Sequence, residues 1–172
     1  MRDTLPVDST SVIRGLWISD EAAAYNRSFL VKRKIKTILN ISDSTASSTA
    51  RALYRRLGIG YIRLELTDTE DCSQKVFENV MRAGLTALKS SKFPALVHCT
   101  AGVNRSAAII TYFMMHAKGW SYDCAIQRME MANAKRCDSC LALTNQRFRE
   151  LLQISDQRNN NCTKTENTTA HI

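Results

Sequence analysis

Apolar and polar positions along the chain change period repeatedly, and each change marks an element. Val12 to Ile18 alternates loosely, as a half-buried strand does. Ser19, Asp20 and Glu21 then supply an N-cap and first-turn acids for a helix from Ala22 to Lys32. Ile35 to Ile41 (IKTILNI) is short and β-branched and predicts a buried strand, followed by a Ser/Thr-rich loop from Ser42 to Thr49. A short helix from Ala50 to Leu57 closes at Gly58, and Tyr61 to Leu66 alternates as another strand. Ser73 caps a helix to Leu88, in which Val76, Phe77, Val80, Met81, Leu85 and Leu88 share one face. After a brief apolar strand, Pro94 to His98, the segment Ser106 to Lys118 is apolar almost all round, the mark of a central buried helix. Two further helices, about Tyr122 to Ala134 and Asn145 to Ile154, complete the pattern. Strands alternating with helices predict an α/β fold: a central, mostly parallel sheet flanked by helices, because parallel neighbours need crossovers that carry them.

At 172 residues, 44% apolar and 23% charged, the chain has the composition of one compact soluble domain. Its expected limits are 11–156, with residues 1–10 as an N-terminal arm and the polar stretch 157–172 as a disordered tail without apolar periodicity. No run reaches the roughly 18 apolar residues of a membrane span. Arg2, Asp3 and Asp8 sit where a signal peptide needs an apolar block. The expectation is a cytoplasmic or nuclear protein without a membrane partner. In such a reducing compartment the six cysteines are not a disulfide framework. Charge is uneven: residues 27–56 hold eight Lys and Arg against Asp43 alone, eight minus one or +7, within a chain total of +8. That predicts a basic patch for an acidic partner. Nucleic acid is disfavoured, since Phe29 and Tyr54 are too few stacking aromatics among those cations.

The chemistry concentrates in Leu96 to Ser106, a strand, a loop and the start of the buried helix. Successive backbone N–H groups of a tight turn before a helix N-terminus converge on one point, and the helix dipole adds positive potential there. Thr100, Ala101, Gly102, Val103 and Asn104 form this cradle, with Gly102 permitting the backbone angles it requires. Arg105 can hold two phosphate oxygens in bidentate fashion, which Lys cannot. Cys99 at the floor has its thiolate stabilised by the same field and becomes a nucleophile.

The pattern His98-Cys99-x5-Arg105-Ser106 resembles the cysteine-dependent protein tyrosine phosphatase superfamily. VIRGLWISD, KTILNIS, TYFM, and Asn145 with Phe148 are similar to the compact dual-specificity phosphatases over about residues 10–155, and AGVNRS is similar to the phosphate loop of the poxviral branch. The resemblance implies a protein tyrosine phosphatase-like fold and double displacement without metal or cofactor. Cys99 attacks phosphorus, an acid protonates the leaving group, and water then releases phosphate. It places the acid about thirty residues before the cysteine. Asp68 lies 99 − 68 = 31 positions away, and Asp71, at 28, is the reserve. It assigns Ser106 to steadying the thiolate and His98 to tuning Cys99. The implied substrates are phosphotyrosine and phosphoserine/phosphothreonine proteins, including kinases with acidic or doubly phosphorylated segments. Arg51, Arg55 and Arg56 are expected on the sheet edge that carries the phosphate loop. Alternatives are an RNA 5′-triphosphatase, which HCT-x-G-x-N-R also resembles, and a non-catalytic phosphoprotein-binding module. Cys137-x-x-Cys140 lacks the second pair a zinc site needs, and Cys72 is a candidate disulfide partner for Cys99 under oxidation.

Overall fold

A computed structural model describes residues 9–136 and 142–168, with side chains to 157. Its elements are β1 (Ser9–Ile13), β2 (Leu16–Ser19), α1 (Glu21–Tyr25), α2 (Arg27–Lys32), β3 (Thr37–Asn40), α3 (Ser48–Leu57), β4 (Gly60–Arg63), α4 (Gln74–Ser90), β5 (Ala95–His98), α5 (Arg105–Lys118), α6 (Tyr122–Asn133) and α7 (Gln146–Thr168). The sheet runs β1-β2-β5-β3-β4. Only the β1–β2 pair is antiparallel; β2–β5, β5–β3 and β3–β4 are parallel. Both faces are covered. One core cluster joins the sheet to α4, α5, α6 and α7, and a second joins it to α2 and α3 through Phe29, Leu30, Ile38 and Tyr54. All four residues of β5 are buried, which is why a strand between two layers reads as an unbroken apolar run. In α5 every residue from Arg105 to Met115 is buried.

Four elements differ from the sequence pattern. Val12 to Ile18 is not one strand but a hairpin, turned at Arg14 and Gly15, where Gly15 has φ +79°. The helix expected from Ala22 to Lys32 is broken at Asn26. Its N–H bonds to the Ala23 carbonyl, ending α1, and its side chain accepts from the Phe29 N–H, starting α2. The strand expected to reach Leu66 ends at Arg63. The last helix continues to Thr168, so residues 157–168, expected as a disordered tail, are helical. Once the buried first turns nucleate a helix, each added residue gains a hydrogen bond, which carries the helix through a segment rich in Asn and Thr despite their weak intrinsic propensity.

Parallel pairing puts the ends of β2, β5 and β3 side by side, with Ser19 and Asn40 both in register with His98. The loops that follow these strands therefore meet at one edge, the usual ligand edge of an open parallel sheet. Helix α3 starts at that edge, capped by Ser47, and ends at Gly58 near the start of β4. Arg51 lies in its first turn. Arg55 and Arg56 lie in its last turn, at the opposite edge. The three arginines span only about 6 to 8 Å of helix axis, with Arg51 toward the phosphate-loop edge and Arg55 and Arg56 toward the opposite one.

Candidate active site

Cys99 directly follows β5 and is 2% exposed. Gly102 N–H donates to its sulfur at 3.2 Å, and Ser106 Oγ lies 3.4 Å from it. Both groups can hold a sulfur anion. The loop carbonyls are tied outward: Thr100 accepts from the Glu21 N–H at 3.1 Å, Val103 from the Leu143 N–H at 3.0 Å, and Gly102 from Arg136 Nη1 at 2.6 Å. Arg136 also donates to Ala101 at 3.3 Å and to Asn133 Oδ1 at 3.0 Å. With carbonyls facing out, the loop's N–H groups face the centre. Gly102 is required twice, by φ +69° and because a Cβ there would sit 2.5 Å from the Ser19 carbonyl oxygen.

Arg105, 6% exposed, is anchored by both terminal nitrogens. Nη1 pairs with Asp43 Oδ2 at 2.7 Å and donates to the Leu66 carbonyl at 3.4 Å, while Nη2 donates to Thr100 Oγ1 at 3.0 Å. Its Nε–H is buried without a partner. An unmatched buried donor is costly unless a ligand oxygen takes it, so this orphan fits an oxyanion in the cradle.

Asp68 is exposed on the segment after β4, and its carboxylate accepts from Asn145 Nδ2 at 2.8 Å and from Asn104 Nδ2 at 3.1 Å. Asn104 holds the N-cap position of α5 yet makes no capping bond. Its Oδ1 instead accepts from Thr144 Oγ1 and the Asn145 N–H, each at 3.1 Å. One side chain thus links the phosphate loop, the acid segment and the entry to α7. Glu70 tightens the same junction by accepting from the Gln146 and Arg147 N–H groups at the start of α7. Asp68, not Asp71, is the carboxylate brought to the loop. Asn104→Ser should release this tether. The expected result is a kcat loss of about tenfold on phosphopeptides, with KM for a small aryl phosphate nearly unchanged, in steady-state assays.

His98 is fully buried, its ring edge-on to Tyr25. Nδ1 lies 3.3 Å from the Cys99 carbonyl, which can only accept, so Nδ1 carries the proton and Nε2 is a bare, unpartnered acceptor. Burial pushes its pKa down to about 4 from 6.5. Between those values the unfolded chain binds a proton that the folded one refuses. The stabilisation is therefore intact above pH 6.5 and lost as pH falls toward 4, on the order of 3 kcal/mol in all. Melting temperatures of wild type and His98→Gln between pH 7 and 4 should show a steeper acid loss in the wild type.

The site residues expected from sequence, Cys99 through Ser106 with Asp68 and His98, are brought together at one edge. Three participants were not singled out as functional. Asp43 reads only as the lone acid in a basic stretch, Arg136 belongs to no motif in the sequence, and Asn145 reads only as a mark of the family resemblance. Cys72 and Cys99 are both free, and burial raises the Cys72 pKa, which opposes the thiolate that disulfide exchange needs. Cys137 and Cys140 lie outside the described residues.

Fold and site together define a cysteine- and arginine-based oxyanion site on a two-sided α/β sheet. Residues 16–166 match the family model described as "Dual specificity phosphatase, catalytic domain", and the chain belongs to that family. It is similar to dual specificity protein phosphatase 26 of Rattus norvegicus, 34% identical over 102 residues (59% of this chain, 48% of the relative), and to dual specificity protein phosphatase 18 of Bos taurus, 29% identical over 106 residues (62% and 53%). The chain thus spans about half the length of the curated relatives it matches. Among solved structures, a mouse dual specificity phosphatase complexed with zinc tungstate superposes with TM-score 0.70 and 25% identity, covering 92% of each chain. Human DUSP28 superposes with TM-score 0.69 and 22% identity, covering 90% of this chain and 96% of that one. The α/β fold with a mostly parallel sheet, expected from the sequence, is the fold these proteins share.

Proposed function

We propose that the chain is a protein phosphatase acting on phosphotyrosine and phosphoserine/phosphothreonine through a phosphocysteine intermediate. The observation that carries this reading is the Cys99 sulfur beside the Gly102 N–H in a loop whose carbonyls are tied outward, with a buried, unpartnered Arg105 Nε–H and the Asp68 carboxylate tethered to the same loop through Asn104. Cys99 Sγ forms a bond to phosphorus as the ester oxygen leaves with the Asp68 proton. Asp68 then takes a proton from water, whose oxygen displaces the sulfur, steadied by Ser106. Thr100 through Asn104 surround the phosphate, and Arg105 binds it. With Cys99 and Arg105 both in place, a purely non-catalytic module is disfavoured.

The match of residues 16–166 to the dual specificity phosphatase family favours protein substrates over an RNA 5′-triphosphate. Phosphorylated proteins, including kinases with doubly phosphorylated segments, are the substrate class. Of the three arginines expected beside the loop, Arg51 alone starts from this edge. The same reading assigns the protein to the cytoplasm or nucleus, where a reactive thiol stays reduced. Phosphate release from a panel of phosphotyrosine, phosphothreonine and doubly phosphorylated peptides, phosphoinositides and triphosphorylated RNA tests the assignment. Metal-independent, vanadate-blocked hydrolysis of both peptide classes is expected. A higher kcat/KM on the RNA would overturn it.

A further inference from the structure

The edge opposite the phosphate loop is chemically unlike it. The starts of four neighbouring strands, β2, β5, β3 and β4, and the ends of four helices, α2, α3, α4 and α5, meet there. Those segments carry Arg14, Lys32, Arg33, Lys34, Lys36, Arg55, Arg56, Lys89, Lys92 and Lys118, ten cations, all exposed. None of the ten is in an ion pair among the described residues. The segments that supply them (13–16, 31–37, 55–60, 88–95 and 116–119) contain no Asp or Glu. Asp123 stands in the first turn of α6, and Asp156 on α7 is felt by His116 at the margin of this face. Placing ten positive charges on one end has an electrostatic cost unless something negative covers it.

Apolar groups stand among these cations. Phe93 is 41% and Val31 48% exposed. A hollow of about 570 Å³ opens beside Phe93, floored by Ile13, Leu88 and Phe113 and rimmed by Arg14, Lys89 and Lys118. A second, of about 240 Å³, lies between Val31, Leu57 and Ile59 under Lys34 and Lys36. Strand starts spaced about 4.8 Å apart, with helix ends on both sides of the sheet, make this a broad face rather than a single groove.

We propose that this face docks on an anionic lipid bilayer, with the cations at the headgroups and Phe93 and Val31 in the interface. Basic residues flanking exposed apolar ones on a surface are what peripheral attachment to acidic lipid requires. A nucleic acid would call for stacking aromatics, and Phe93 is the one exposed aromatic among the described residues. No helix of the described residues is long and apolar enough to cross a membrane, so the contact is peripheral. The sequence expectation of no membrane partner rested on the lack of a span and a leader, which does not bear on a surface contact. Docked in this way, the chain would hold the phosphate loop away from the lipid, facing soluble proteins.

The test is co-sedimentation of the full chain with vesicles of phosphatidylcholine alone or with roughly 30% phosphatidylserine. Partitioning onto the acidic vesicles is expected to be about tenfold or more stronger, and to fall about tenfold in Lys89→Glu/Lys118→Glu. Phe93→Ser is expected to weaken vesicle binding several-fold while leaving binding to single-stranded RNA unchanged. Thermal melts verify that the variants are folded, and Val31→Ser serves as the second apolar probe. Equal binding to both vesicle types overturns the proposal. So does vesicle binding indifferent to Phe93→Ser and Val31→Ser, or RNA that binds more tightly and displaces the vesicles. None of these readouts depends on phosphatase activity.

Discussion

Cys99→Ser is expected to reduce turnover to below about a hundredth of wild type while leaving oxyanion binding largely intact. The two halves of this expectation come from different atoms. Turnover needs a nucleophile that attacks phosphorus and then leaves, which sulfur does far better than a hydroxyl oxygen. The donors around position 99, the Gly102 N–H and Ser106 Oγ, serve a thiolate well, but a serine hydroxyl remains protonated under the same field. Oxyanion binding needs the inward N–H groups, held by Glu21, Leu143 and Arg136, and the free Nε–H of Arg105, none of which the substitution touches. Initial rates on an aryl phosphate and calorimetric titration with phosphate separate the two. Residual activity above about a hundredth would mean that another group attacks phosphorus, and loss of phosphate binding would mean that the sulfur itself shapes the cradle.

What could be read from the sequence is what is local. The strand, turn and buried helix around Cys99 are contiguous, so spacing alone places Cys99, Gly102 and Arg105 in one loop. The alternation of strands and helices fixes the sheet type for the same reason. What sequence could not show depends on long-range pairing. Asp43 meets Arg105 across 62 positions, Arg136 meets Gly102 across 34, and Asn145 meets Asp68 across 77. No periodicity encodes those partners. Charge illustrates the point most clearly. Residues 27–56 look like one basic patch in the sequence, but the chain crosses the molecule within that stretch. Six of its eight cations, all but Arg27 and Arg51, therefore join Arg14, Lys89, Lys92 and Lys118 on the far edge. Breaks within elements were missed for a smaller reason. Asn26 and Gly15 interrupt by satisfying or bending the backbone locally, and neither disturbs the apolar pattern on which element limits were drawn.

Asp68→Asn is expected to lower kcat on phosphopeptides by about 100- to 10,000-fold, the usual worth of a positioned acid and base. The substitution is close to isosteric. The new amide keeps one oxygen that can still accept from Asn104 and Asn145, so the acid segment should stay docked and KM should change little. What disappears is the proton given to the leaving oxygen in the first step and the acceptor that activates water in the second. The loss should therefore depend on the leaving group: large for serine and tyrosine esters, and much smaller for an activated aryl phosphate whose phenolate departs without protonation. Asp71→Asn is expected to behave as wild type, because Asp71 is exposed and makes no hydrogen bond to the phosphate loop or to α7 among the described contacts. Rates for both variants on a series of aryl phosphates of rising leaving-group basicity decide the matter. A steep dependence in Asp71→Asn with a flat one in Asp68→Asn would move the role three residues along the same loop. It would also mean that the Asn104–Asp68–Asn145 tether holds the loop in place rather than its proton donor.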